Sequence, residues 1–161
     1  MQLFINKTMA ELKEGDLAPK FTAKDHNGKT ISLSDFAGQD VILYFYPKDD
    51  TPGCTAEACS FRDNYQSLLD QGFTVIGVST DDEASHQKFI SKYDLPFTLI
   101  SDTDKNIVEA YGVWVEKNMY GKKYMGTARK TFIIDKNGII KKIIDKVDTK
   151  ESSKQVLELL S

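Results

Sequence analysis

Cysteine is almost missing from this chain, with two in 161 residues. Two cannot build the bridge framework of a small extracellular scaffold, so they read as redox or structural thiols of a reducing compartment. Histidine is equally scarce, also two. Neither residue type falls at metal-ligand spacing, so no metal and no organic cofactor is expected. No apolar run approaches the roughly 18 residues of a membrane helix. Residues 1–8 lack the charged start and long apolar stretch of a signal peptide. The expectation is therefore a cytoplasmic protein with no membrane contact. Charge of one sign is lacking too: 21 basic and 24 acidic residues give a net charge of −3. The short pairs Lys122-Lys123 and Lys141-Lys142 read as solvated faces, and no nucleic-acid surface is expected. There is no glycine-rich phosphate loop, no internal repeat and no linker.

What is present is an ordinary globular composition, 40% hydrophobic and 28% charged, at a length suited to one domain. Thr30–Leu33 alternates as a short strand after a turn at His26-Asn27-Gly28, and residues 34–38 read as a helical turn. Val41–Tyr46 is apolar throughout, as a strand covered on both faces requires. Residues 54–70 carry Phe61, Tyr65, Leu68 and Leu69 at helical spacing, with a stop near Gly72. A strand over Phe73–Ser79, a helix over Asp81–Tyr93, a strand over Phe97–Ile100 and a short helix over Lys105–Tyr111 follow. Lys130–Ile134 and Ile139–Ile144 flank Asn137-Gly138, a strong hairpin signal. An amphipathic helix over Lys150–Leu160 closes the chain. Alternating strands and helices followed by a hairpin predict an α/β protein with a central mixed sheet flanked by helices, a thioredoxin-like architecture.

The most informative stretch is Tyr46-Pro47-Lys48-Asp49-Asp50-Thr51-Pro52-Gly53-Cys54, with Cys59 five positions on. It places Cys54 after a Pro/Gly-rich turn, at the opening of a helix. Free backbone N–H groups, those of Gly53 and Cys54 among them, favour an anion there. The thiolate is the reactive form of cysteine. From the residues alone, Cys54 reads equally as a nucleophile or as a buried structural thiol. Thr51 reads as a cap or turn residue, Pro47 as a strand end, Cys59 as a core helix position and Arg129 as a surface residue. Tyr111 and Trp114 read as core.

Pro47-x-x-x-Thr51-x-x-Cys54 resembles the signature of the peroxiredoxins. Cys59 matches the resolving position of their bacterioferritin-comigratory, or Q-type, branch. Asp16–Phe21, Tyr111–Trp114 and Arg129–Asp135 are similar to further blocks of that family, and the resemblance spans about residues 11–160. It implies a thioredoxin-like fold with a peroxiredoxin-type N-terminal extension. Residues 9–161 are expected to form a single domain behind an added segment, residues 1–8. The implied activity is reduction of hydrogen peroxide and organic hydroperoxides. Cys54 attacks, Thr51 and Arg129 contact thiolate and peroxide, Pro47 shields the thiolate, and Cys59 closes a disulfide with Cys54. Thioredoxin, or a similar dithiol protein, is the implied reductant, and a monomer is expected, with a dimer as the alternative. Two rival readings share the fold. One is a thiol–disulfide oxidoreductase, disfavoured because four residues separate the cysteines instead of two. The other is a non-catalytic binding module.

Overall fold

Every residue from Val41 to Tyr46 is buried, so this segment must run through the middle of a sheet covered on both sides. In the computed structural model, which describes residues 11–160, it does. The expected added segment, residues 1–8, lies outside the described residues. The strands are β1 (Thr22–Asp25), β2 (Thr30–Ser32), β3 (Asp40–Phe45), β4 (Phe73–Ser79), β5 (Thr98–Ser101), β6 (Trp114–Met119), β7 (Lys122–Thr127), β8 (Lys130–Ile134) and β9 (Ile140–Ile144). The helices are α1 (Pro52–Asp63), α2 (Tyr65–Asp70), α3 (Glu83–Tyr93), α4 (Asn106–Ala110) and α5 (Ser152–Leu160).

Seven strands form one sheet in the order β2-β1-β5-β4-β3-β8-β9. The centre, β3, β4 and β5, is parallel, and β8, β9, β1 and β2 add antiparallel flanks. Period-two alternation along β3 feeds two cores. Val41, Leu43 and Phe45 pack with Ile76, Val78, Phe132, Tyr111 and the α4 residues Ile107 and Val108. Ile42, Tyr44 and Tyr46 face the other way, toward Cys54, Ala58 and Phe61 of α1, Phe89 of α3 and Val156 of α5. The expected thioredoxin-like mixed sheet and its flanking helices are thus present.

Three departures from the sequence reading have physical causes. The helix expected over residues 54–70 is two helices, because Asn64 turns its side-chain amide onto the Ser60 carbonyl at 2.9 Å and leaves helical geometry (φ −115°, ψ 11°). That is the local competition with which Asn interrupts helices. Strand β1 was missed, being four residues with a largely polar, half-exposed pattern. The β6–β7 ribbon was missed because it forms its own two-stranded sheet and reads lysine-rich and mostly exposed. Its turn at Tyr120-Gly121 has positive φ at both residues (53° and 80°), the hairpin geometry that suits strand twist.

Gly77 sits in β4 between Tyr44 of β3 and Leu99 of β5. A Cβ there would lie 2.7 Å from Leu99 Cδ2 and 2.9 Å from Tyr44 Cζ, and both neighbours are fully buried. Gly77→Ala is expected to lower stability by ~1–3 kcal/mol through overpacking. Urea titration should show a lower midpoint at unchanged slope.

Candidate active site

The carboxyl ends of parallel strands are where open α/β sheets leave room for ligands, and β3 delivers the chain to such an end. Pro47, half-buried, lies two residues beyond β3. Asp50 takes left-handed φ (55°) to reverse direction. Thr51 is extended (φ −104°, ψ 156°) and Pro52 opens α1, a position where its missing N–H costs nothing and its fixed φ fits. The first-turn N–H groups of Gly53 and Cys54 have no acceptor within the helix.

The buried face of α1 is Cys54, Glu57, Ala58 and Phe61, spaced i, i+3, i+4 and i+7 as a core-facing stripe. A glutamate on that stripe is the unusual feature. Glu57 is fully buried and answered by Arg129, whose Nη1 donates to Glu57 Oε1 at 2.9 Å. The second guanidinium nitrogen, Nη2, donates to Cys54 Sγ at 3.2 Å. Arg129 comes from the joint between β7 and β8, beside the end of β3. It passes under the first turn of α1 so closely that a Cβ on Gly53 would lie 3.1 Å from Nη2. A side chain at position 53 would press on the guanidinium, which would have to give way by a few tenths of an ångström.

The charges here are strongly perturbed. Burial drives the Glu57 carboxyl up to about 7, against the opposing pull of Arg129. Burial also resists charge on Arg129, yet the Cys54 sulfur and Glu57 outweigh it and hold its pKa above the usual value. Tyr44 is pushed well above its ordinary pKa by burial and then by Glu57, Cys54 and Asp49, so it stays neutral. Its hydroxyl and Glu57 Oε2 are both buried without a hydrogen-bond partner. Lys117 of β6 is lowered by desolvation and by Arg129, with Cys54 opposing.

Of the residues singled out from sequence, Gly53, Cys54 and Arg129 are in contact. Thr51 stands at the helix start, but its hydroxyl donates to the Lys48 carbonyl at 2.8 Å. Among the described residues no hydrogen bond joins it to Cys54. Cys59 is half-buried on the same helix, and both thiols are free. Tyr111 is core, with its hydroxyl on the Pro19 carbonyl at 2.7 Å. Trp114 packs at the edge of the same core, partly buried. Sequence reasoning missed Glu57, although a carboxylate in register with Cys54, Ala58 and Phe61 was a readable signal. It also missed Tyr44, hidden in a uniformly apolar strand.

Residues 15–143 match the AhpC/TSA family. The chain belongs to that family. Within it, the chain is 45% identical over 146 residues to peroxiredoxin Bcp of Bacillus subtilis, covering 91% of this chain and 93% of that one. It is 45% identical over 152 residues to peroxiredoxin Bcp of Escherichia coli K12, covering 94% and 97%. Among solved structures, a cysteine variant of PrxQ from Xylella fastidiosa superposes with a TM-score of 0.88 at 32% identity, covering 94% and 96%. A peroxiredoxin Q structure from Xanthomonas campestris gives 0.81 at 36%, covering 87% and 89%. These likenesses place the chain in the Bcp/PrxQ branch, among oxidoreductases of the peroxidase class. No helix among the described residues is long and apolar enough to cross a membrane.

The raised Glu57 carboxyl gives a signed prediction. Its folded pKa, about 7, exceeds the unfolded value of about 4.3. Its favourable contribution is therefore fully present below pH ~4.3 and lost as pH rises through about 7, a difference of roughly 3–4 kcal/mol. Glu57→Gln should flatten stability across that window. Urea unfolding at pH 5 and pH 8 checks it; equal pH dependence in both proteins would show that Glu57 does not hold its proton in the fold.

Proposed function

We propose that this chain is a thiol-dependent peroxidase for hydrogen peroxide and organic hydroperoxides, with Cys54 as the attacking thiol. The observation that carries this reading is the Arg129 guanidinium, which donates to Cys54 Sγ at 3.2 Å while Glu57 anchors its other edge. A fixed positive donor beside sulfur stands ready for charge developing on an attacked oxygen. The thiolate attacks one peroxide oxygen in line. The O–O bond breaks, sulfur becomes a sulfenic acid, and the other oxygen, once protonated, leaves as water or an alcohol. Thr51 spends its own proton on the Lys48 carbonyl. Its oxygen therefore offers only lone pairs, which suits it to accept the O–H of an incoming peroxide. Pro47, just beyond β3, shields the sulfur from water.

Cys59 is the proposed resolving thiol. Its sulfur displaces the hydroxyl of the sulfenic acid, water leaves, and a disulfide links the two residues. Thioredoxin, or a similar dithiol protein of a reducing cytoplasm, restores both thiols by exchange. On an intact helix, positions five apart have Cα atoms roughly 8.6 Å apart and side chains turned by about 140°. A disulfide needs ~4.4–6.8 Å. The start of α1 must therefore unwind in each cycle.

Cys54→Ser is expected to abolish peroxide consumption. Cys59→Ser should complete one turnover and accumulate a sulfenic acid that a dimedone reagent traps. Substantial activity in Cys54→Ser would remove that residue from the chemistry. Insulin reduction faster than peroxide consumption would favour the disulfide-exchange reading.

Unwinding has a natural limit. Ser60 Oγ lies 3.2 Å from Ser153 Oγ of α5, and Arg62 Nη1 donates to the Tyr93 carbonyl at 2.8 Å. Oxidation should accordingly raise amide exchange over residues 55–62, whose N–H groups bond to carbonyls four residues back in the part of α1 that unwinds. Equal protection of residues 55–62 in the reduced and oxidised proteins would mean that the bond forms without unwinding.

A further inference from the structure

A second buried polar cluster lies beside the turn that carries Thr51, and the chemistry above does not use it. Asp49 Oδ1 accepts from the Tyr46 hydroxyl at 2.6 Å, and Oδ2 accepts from Ser85 Oγ at 2.8 Å and faces His86 Nδ1 at 2.7 Å. The Asp49 N–H donates to Asp81 Oδ2 at 2.8 Å, an oxygen that also takes the Ser79 hydroxyl at 2.8 Å. His86 Nε2 lies 2.9 Å from the Ile100 carbonyl. One residue further on, Asp50 is held by Lys92 Nζ and the Tyr93 hydroxyl, both at 2.8 Å. Helix α3 thus grips two consecutive residues of the turn, through its first and last turns.

The protonation state follows from the partners. A carbonyl only accepts, so Nε2 carries hydrogen. A carboxylate only accepts, and Asp49 already receives two hydroxyl protons, so Nδ1 carries hydrogen as well. The ring is an imidazolium, although it is fully buried. Desolvation opposes that charge, but the hydrogen bond and charge of Asp49, the Ile100 carbonyl and the charge of Asp81 outweigh it and raise the pKa. The polar groups gathered around the ring and its carboxylate are acceptors, acids or neutral hydroxyls: Tyr46 after β3, Asp49 in the turn, Ser79 at the end of β4, Asp81 beyond it, Ser85 on α3 and Ile100 on β5. Ligand-type atoms of Asp49, Asp81 and His86 lie within 4.8 Å of one another, but a cation there would have to displace the Nδ1 proton that Asp49 holds.

The structure assigns His86 as a positioning residue: its imidazolium, bridging Asp49 and the Ile100 carbonyl, fixes the turn over residues 48–51 and so sets where Thr51 meets a peroxide. What the turn does rests on the peroxidase reading; what holds the turn does not. Because the folded pKa is raised, the clasp is complete below pH ~6.5 and is lost as pH rises through the folded value.

Three measurements decide it. Nitrogen-15 spectra of the reduced wild type below the ordinary imidazole value, at pH ~6, should show both ring N–H groups of His86; a bare Nδ1 there overturns the assignment. Amide protection over residues 48–51 should fall in His86→Gln, and in the wild type as pH is raised; unchanged protection in both overturns it. The rate of Cys54 with hydrogen peroxide should fall about tenfold in His86→Gln, with alkylation by iodoacetamide, which needs no Thr51, nearly unchanged. Equal falls in both rates would make His86 merely structural and overturn the positioning role. Asp49→Asn, which keeps the side-chain shape, serves the same measurements if His86→Gln does not fold. A wild type that alkylates yet never consumes peroxide would sink the peroxidase reading alone, and the amide protection would still decide the clasp.

Discussion

One guanidinium shared between two acids organises the candidate site. Arg129 cannot be neutralised at working pH, and its planar fork presents two N–H edges at fixed angles. One edge meets Glu57 and the other Cys54. Everything nearby accommodates that geometry. Gly53 omits the side chain that would crowd Nη2. The β7–β8 joint brings the arginine alongside the end of β3. Glu57 takes a place on the apolar stripe of α1 that a Leu would fill more cheaply. The magnitudes show what this arrangement is for. Even beside Arg129, burial wins and the Glu57 carboxyl rises to about 7. Buried pairs of this kind are weak sources of stability. The pair therefore makes sense as a device that aims a charge, with the fold bearing its cost.

How much of this could be read in the residues depended on how local each feature is. The β3 run, the Asn137-Gly138 hairpin and the opening of α1 are set by neighbours in sequence, and all were legible. The ribbon formed by β6 and β7 was not, because it faces solvent and carries none of the alternation that a half-buried strand shows. The break at Asn64 depends on one side-chain amide choosing a carbonyl four residues back. In the site, the placement of Gly53 and Cys54 at a helix start was legible from the turn, while the residues alone left Cys54 open between nucleophile and structural thiol. Arg129, distant in sequence, was reached only through family resemblance. Glu57 was hidden by the habit of reading a helical Glu as exposed. His86 was hidden for a related reason: its neighbours in sequence are polar, and its partners Asp49 and Ile100 come from other elements.

Rigidity and compliance are divided along this short segment in a way the chemistry can use. The turn before α1 is tied down by Asp81, Ser85, His86, Lys92 and Tyr93. The end of α1 is tied down by Ser153 and the Tyr93 carbonyl. Between them, among the described residues, side-chain polar links to the first turns of α1 run through one residue, Arg129, to Cys54 and Glu57. Local opening concentrates where such links are few. On the proposed chemistry, a peroxide would meet a fixed entrance, and the part of the helix that would have to move lies between two fixed ends.

The same link also offers a way to time the opening. A hydrogen bond between opposite charges carries a Coulomb attraction that a bond from the same guanidinium to an uncharged sulfur lacks. Before attack, Arg129 bonds the sulfur of Cys54 and the carboxyl of Glu57, and both tie α1 to the sheet. On the proposed chemistry, oxidation to a sulfenic acid removes the negative charge from sulfur. Arg129 then keeps one acid of its two, Glu57. The contact that favours attack is thereby weakened by the product of attack. The helix would stay closed while the thiolate waits and loosen once the sulfenic acid exists, which is when Cys59 has to reach it.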